Sequence, residues 1–265
     1  MRIAITNDDG VDAPGIYAIA SRLESVGHEI IVVAPSSDMS GSGSSTGGDL
    51  RVSGGVRTVR HRIGSIEALA VDGPPALCAL LALRGAVGDP PKLLVSGINA
   101  GPNLGPSVFH SGTVSAALTA ANFGLPALAV SLVHETAAAP CYFETAAAFT
   151  EQFVSMTAED AWTPTAVANI NVPDLAAEQI AGWSETELAP TPGFRSIGIS
   201  SRELEEGANA LQFRYERDDE SLPHESDVMT VRAGLVSITW LQTFAAATRP
   251  SWFQPDRLVF SGGLV

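Results

Sequence analysis

Short apolar runs alternate along most of this chain with stretches in which apolar positions recur at helical spacing. That alternation predicts an α/β fold, with a Rossmann-like, mostly parallel sheet flanked by helices. Arg2 to Thr6 reads as a buried strand, Pro14 to Val26 as a helix and His28 to Ala34 as a second strand. Pro35 to Gly48 is a Ser/Gly-rich loop, and Arg51 to Arg60 with Ile66 to Val71 predicts a hairpin or edge excursion. Pro74 to Gly85 follows as a helix, Leu93 to Ser96 as a central strand and Gly97 to His110 as a long glycine-rich loop. The pattern continues with a buried helix over Thr113 to Phe123, a strand over Ala127 to Leu132, a helix over Phe143 to Ala158 and a strand over Ala166 to Val172.

Beyond about Leu175 the character changes. Ser196 to Ser200, Leu211 to Tyr215 and Leu235 to Trp240 read as strands separated by acidic, turn-rich segments. Residues 1–175 are therefore expected to form the core and 176–265 a β-extension that partly returns to it. Such an arm could pack on a partner subunit; the last strand could equally finish the main sheet.

At 45% apolar and 17% charged residues, the chain can bury a substantial core. A net charge of −14 argues against a general nucleic-acid or membrane-surface binder, which needs a basic patch. It leaves room for an anionic small substrate, because a divalent metal inverts the local field. The chain opens directly on a strand without a signal-peptide pattern, so a cytoplasmic location is expected. Leu93 to His134 contains no Asp, Glu, Lys or Arg, but asparagines, prolines and glycines interrupt it, as in a sheet centre with loops. Cys78 sits in an apolar run and reads as a buried structural thiol, and its spacing from Cys141 is not that of a metal site.

The candidate chemistry lies at the strand ends. Asn7-Asp8-Asp9-Gly10 follows the first strand, with Asp12 as an expected helix cap and Pro14 near the first helical position. Adjacent carboxylates repel, so the pair calls for a cation. A second loop offers Ser40 beside Gly41, and a third carries Asn99 and Asn103 among glycines. Such hard oxygen donors suit Mg²⁺, Mn²⁺ or Ca²⁺. Ser111-Gly112-Thr113 then opens a helix, whose unpaired N–H groups make a phosphate cradle. Each piece alone is commonly a turn or a cap; their conjunction suggests metal-assisted hydrolysis of a phosphate ester, with donors from the cradle stabilising the transition state.

Met1 to Ile16, Ser96-Gly-Ile-Asn-Ala-Gly-Pro-Asn-Leu-Gly105 and Ser111-Gly-Thr-Val114 resemble the signatures of the SurE family. Val33-Ala-Pro35, Asn169 to Asp174 and Gly234 to Thr239 echo it further. The resemblance implies a phosphomonoesterase that converts nucleoside 5′- and 3′-monophosphates to nucleoside and phosphate by metal-activated water. It implies one divalent metal, Mg²⁺ or Mn²⁺, per subunit, held by Asp8, Asp9, Ser40 and Asn99. Asp8 and Asp9 would be catalytic, while Asn103, Ser111, Gly112 and Thr113 would bind the substrate phosphate. The family also implies a homodimer or homotetramer built through C-terminal arms, with no membrane or nucleic-acid duplex as partner.

The chain departs from the family pattern at Ser36 to Met39, where basic residues are usual, at His110, usually tyrosine, and across Glu203 to Asp227. His110 could donate to the phosphate or protonate a leaving oxygen, or simply fill an aromatic packing position. His28, His61, His134 and His224 read as solvated or structural, Asp218 to Glu220 as a solvated turn, and the four tryptophans as packing residues, with Trp240 or Trp252 candidates for an interface. Two other functions fit the altered loops: a phosphatase specialised for another phosphorylated metabolite, and a protein that binds a phosphate ligand without turning it over.

Overall fold

The computed structural model describes residues 1–47, 54–134, 141–156, 166–191, 193–205, 208–218 and 222–243. Its framework follows from the burial pattern of the strands. β1 (Arg2–Thr6) is buried from Ile3 onward, and successive side chains leave opposite faces. Ile3 and Ile5 accordingly join one apolar cluster, and Ala4 joins another. The first cluster is completed by α1 (Pro14–Ser25) and α4 (Phe143–Met156), the second by α2 (Pro75–Leu83) and α3 (Gly112–Asn122). The result is a helix–sheet–helix sandwich in which α1 buries Ile16, Ile19, Ala20 and Leu23, an i, i+3, i+4, i+7 stripe.

The sheet adds β2 (Glu29–Pro35), β3 (Thr58–Ile63), β4 (Ile66–Val71), β5 (Leu93–Ala100), β6 (Ala127–Val133), β7 (Ala166–Pro173), β8 (Trp183–Glu185) and β11 (Val236–Gln242). Strand order is β3-β4-β2-β1-β5-β6-β7-β11-β8. From β4 to β7 every pairing is parallel. β3 closes one edge as an antiparallel hairpin with β4. The chain winds outward from β1 in one direction through β2, and then in the other from β5, so the order reverses between β1 and β5. Ligands of open α/β sheets bind at that reversal, outside the carboxyl ends of the strands.

The last strand, β11, returns to the main sheet antiparallel to β7. β9 (Phe194–Glu205) and β10 (Ala208–Arg217) instead form a separate antiparallel ribbon. Three short elements escaped the sequence pattern: β8, the helix α5 (Asp227–Arg232) and a 3-10 turn at Ala177–Gln179. The long glycine-rich loop is also more regular than expected, since β5 runs on to Ala100 and a 3-10 turn spans Gly105–Phe109.

Asp12 does not cap α1 as expected. The cap position is Ala13, with no side-chain hydrogen bond, while exposed Asp12 lies 3.0 Å from the His61 ring nitrogen. Pro14 does stand at the start of the helix. Gly48, Arg51 to Ser53, Thr157, Ala158, Trp162, Asp219, Glu220 and Trp252 lie outside the described residues. Cys78 is buried, and burial pushes its thiol up to about 12, which makes it inert. Among the described residues no helix is long and apolar enough to cross a membrane.

Candidate active site

Local geometry explains why Asn7-Asp8-Asp9-Gly10 can present two carboxylates at the end of β1. Fully buried Asn7 closes the turn, its Nδ2 donating to the Gly10 carbonyl at 3.1 Å and its Oδ1 accepting from the Gly10 N–H at 3.1 Å. Gly10 itself sits at φ +104°, a conformation that disfavours side chains. The Asp8 carbonyl accepts from the Met39 N–H at 2.7 Å, which pins the loop after β2 over the turn.

Asp8 is only 4% exposed. Its Oδ1 accepts from the Thr113 hydroxyl, joining the end of β1 directly to the first turn of α3. The packing there leaves no slack: a Cβ on Gly112 would lie 2.8 Å from Asp8 Cβ, 2.9 Å from Asp8 Oδ2 and 3.0 Å from Ser42 Oγ. Asp9 is less buried, and its Oδ2 accepts from the Ala100 N–H at 3.1 Å, at the end of β5. Burial raises both carboxyls above the ordinary carboxylate range, Asp9 to about 6. Hydrogen bonds pull the other way, and the Asp38 carboxylate adds like-charge repulsion to both.

The other expected residues are distributed around this pair. Asn99 follows the reversal point on β5; its Nδ2 donates to the Gly101 carbonyl at 2.8 Å, so its amide oxygen is the atom it can offer a cation. Ser111 is the cap of α3, with Oγ accepting from the Val114 N–H at 3.0 Å. That bond uses a lone pair and leaves the hydroxyl hydrogen to donate elsewhere. Gly112 and Thr113 begin the helix, where the backbone N–H groups lack intrahelical acceptors. His110 is exposed and meets Phe109 edge-on at 5.2 Å.

Asn103 is more deeply committed than its place in the loop implied. Its N–H donates to Asn171 Oδ1 and its Nδ2 to Ser131 Oγ, while its carbonyl accepts from Asn169 and Asn171. It locks the loop onto the ends of β6 and β7 and retains one amide hydrogen for a ligand. Ser40 is exposed, and both its N–H and its hydroxyl donate to Asp38 Oδ1, at 2.7 and 2.6 Å. Those bonds hold the Asp38 carboxyl below its ordinary value.

Three participants were not legible beforehand. Asp38 contributes charge beside the pair. Ser42 Oγ is buried without a hydrogen-bond partner, and it and Asp8 both border the space that a side chain on Gly112 would fill. Asp227 is fully buried, with Oδ2 accepting from the Gly105 N–H at 2.7 Å and Oδ1 from the Ala189 and Val228 N–H groups at 2.9 and 2.8 Å. It buttresses the loop that carries Asn99 and Asn103. The signal available for it was only Ser226-Asp227 ahead of the apolar pair Val228-Met229, a helix-start pattern within an acidic stretch.

The donors fit a hard divalent cation. Two adjacent carboxylates, one buried and one half-buried, cannot both ionise cheaply without one, the buried Ser42 oxygen lacks a partner, and all the candidate atoms are oxygens. A doubly wound α/β protein with paired carboxylates against a helix N-terminus, at the reversal of its strand order, is the class these features define. The chain belongs to the SurE family: the profile described as Survival protein SurE matches residues 3–192. Proteins named 5′-nucleotidase SurE are similar along most of its length. That of Xanthomonas campestris pv. campestris (strain B100) is 38% identical over 239 residues, covering 90% of this chain and 88% of the relative. That of Stenotrophomonas maltophilia (strain K279a) is 38% identical over 245 residues, covering 91% and 90%. The crystal structure of SurE protein from Aquifex aeolicus superposes with a TM-score of 0.76 at 28% identity, covering 91% of this chain and 93% of that one.

Proposed function

We propose that this protein is a divalent-metal-dependent phosphomonoesterase acting on nucleoside 5′- and 3′-monophosphates. The observation that carries the reading is the Thr113–Asp8 hydrogen bond, which sets the carboxylate pair beside the start of α3. The relatives named 5′-nucleotidase SurE support the substrate class. Asp8, Asp9, Ser40 and Asn99 would hold one Mg²⁺ or Mn²⁺ per subunit. A cation held there would supply Lewis acidity, acidifying water and neutralising charge on the phosphoryl oxygens.

The remaining work falls to the chain. Backbone N–H groups of Gly112 and Thr113 and the Ser111 hydroxyl bind phosphoryl oxygens, helped by the positive end of the helix dipole. Asn103 holds its loop in place and donates its remaining amide hydrogen. The Thr113 hydroxyl fixes the Asp8 carboxylate, which orients the attacking water and accepts its proton.

Residues 1–175 act as the catalytic core in this reading, and 176–265 as the extension through which a homodimer or homotetramer forms. The β9–β10 ribbon supports the assembly, since it exposes Ile197, Ile199, Leu211, Phe213 and Tyr215. The protein works in the cytoplasm on a small phosphorylated substrate.

Phosphate release from nucleoside monophosphates and from sugar phosphates, with Mn²⁺, with Mg²⁺ and with chelator, tests the reading. Asp8→Asn and Asp9→Asn should each lose at least about 10²-fold in kcat/KM. Full activity in either variant, or turnover unaffected by chelator, overturns it.

A further inference from the structure

The strongest unassigned constellation lies at the neighbouring strand ends, at His134, Cys141 and Asp174. Their formation follows from register. β6 and β7 pair in parallel through Val133 and Pro173, and the Asp174 N–H donates to the Val133 carbonyl at 2.9 Å. His134 and Asp174, the next residue on each strand, therefore emerge side by side. Cys141 arrives from the approach to α4, and the N–H of its neighbour Tyr142 donates to Asp174 Oδ1 at 2.6 Å. One imidazole nitrogen, one thiol sulfur and one carboxylate oxygen thereby lie within 4.8 Å of one another.

Two features distinguish this trio from a chance cluster. His134 Nδ1 and Asp174 Oδ2 are buried atoms without a hydrogen-bond partner. Burying a polar atom unpaired is costly, so a pair of them beside a thiol makes a set of donors able to bind one ion. The second feature is orientation. The Tyr142 N–H holds the other Asp174 oxygen, as outer partners of ligating carboxylates do.

We propose that His134, Cys141 and Asp174 form a transition-metal site, best suited to Zn²⁺ and built from residues other than the hard-oxygen donors Asp8 and Asp9. Nitrogen and thiolate sulfur select zinc over magnesium or calcium. Zinc with bonds of about 2.0–2.3 Å places its donors about 3.5 Å apart, so the trio closes on the ion by small side-chain rotations. Binding exchanges the Cys141 S–H bond for an S–Zn bond and releases the proton to solvent.

Three protein ligands leave a fourth position open. His134 and Asp174 line a cavity of about 890 Å³, walled by Leu104, Val133, Leu175 and Phe194, with Arg217 and Arg232 at its side. A fourth ligand drawn from that space would be water or an anion. The ion would tie the ends of β6 and β7 to the start of α4.

Co²⁺ substitution in the full-length protein tests the site without any substrate turnover. Metal-free wild type should bind Co²⁺ with a near-ultraviolet sulfur-to-cobalt charge-transfer band and the intense visible absorption of a four-coordinate ion. Cys141→Ser, at an exposed position that should fold normally, should lose the charge-transfer band, and Asp9→Asn should keep it. One equivalent of Zn²⁺ should also slow modification of Cys141 by a disulfide reagent at least about tenfold. A wild type without the band, a band that survives in Cys141→Ser, or a Cys141 that zinc leaves unprotected overturns the proposal. Inactivity of Asp8→Asn bears only on the phosphatase, and failure of the cobalt test leaves that reading untouched.

Discussion

Gly112→Ala isolates the contact on which the candidate active site depends. The added methyl would stand 2.8 Å from Asp8 Cβ and 2.9 Å from Asp8 Oδ2. An ordinary contact between carbons is about 3.6 Å, so the carboxylate and helix must separate by about 0.8 Å. Overpacking of this kind costs about 1–3 kcal/mol, and the higher helix propensity of alanine returns at most about 1 kcal/mol. The net loss of about 1–2 kcal/mol corresponds to a melting temperature lower by about 2–8 °C in a chain of this size. The activity should fall much further, because displacing a reacting group by about 1 Å costs on the order of 10²-fold. Circular-dichroism melting and kcat/KM for a nucleoside 5′-monophosphate with Mn²⁺, measured well below the melting transition, give the two quantities separately. A variant with the expected drop in stability and activity within twofold of wild type would refute the reasoning, since Asp8 would then have moved without consequence.

Two further predictions concern charge and support. Burial holds Asp9 protonated up to about pH 6, so a cation must displace that proton, and Mn²⁺ affinity measured by calorimetry should rise at least about tenfold per pH unit below pH 6, more where Asp8 is protonated as well, before levelling off. In the metal-free protein the same raised pKa stabilises the fold at low pH, and that contribution should vanish as pH rises from about 4 through about 6; a wild-type melting curve that tracks Asp9→Asn across this window would contradict it. Asp227→Ala strands three backbone N–H groups, at about 1 kcal/mol or more each, and should lower the melting temperature by about 6–12 °C, whereas a fall under about 2 °C would show the aspartate to be dispensable.

Much of the framework was legible because it rests on long periodic signals. β1 and β2 are apolar runs buried on both faces, and α1 carries an uninterrupted stripe. Pro14 and Ser111 fall at helix starts because an imino ring and a small hydroxyl suit those positions. What failed was shorter or less local. α5 and β8 span six and three residues, too few to show a period. Asp12 has the chemistry of a cap but finds His61 across the fold.

At the site, Asp8, Thr113 and Asp9 converge because strand order brings their loops together, and that order follows from the alternation of strands and helices. Ser40, Ser42 and Asp38 could not be ranked in the same way. Their roles depend on the path of a loop rich in glycine and serine, where neighbouring hydroxyls are chemically equivalent until the backbone chooses between them. Asn103 shows the converse: its pairing with Ser131, Asn169 and Asn171 spans up to 68 residues, which no local pattern encodes.

The bond between Asp8 and Thr113 has a thermodynamic consequence. In the proposed reading a single carboxylate borders both the cation and the anion cradle, so the two occupancies are linked. By whatever factor the cation tightens the hold on phosphate, phosphate must tighten the hold on the cation. Inorganic phosphate, the product, would then be released most slowly when metal is abundant, and free metal concentration would govern product escape as well as chemistry.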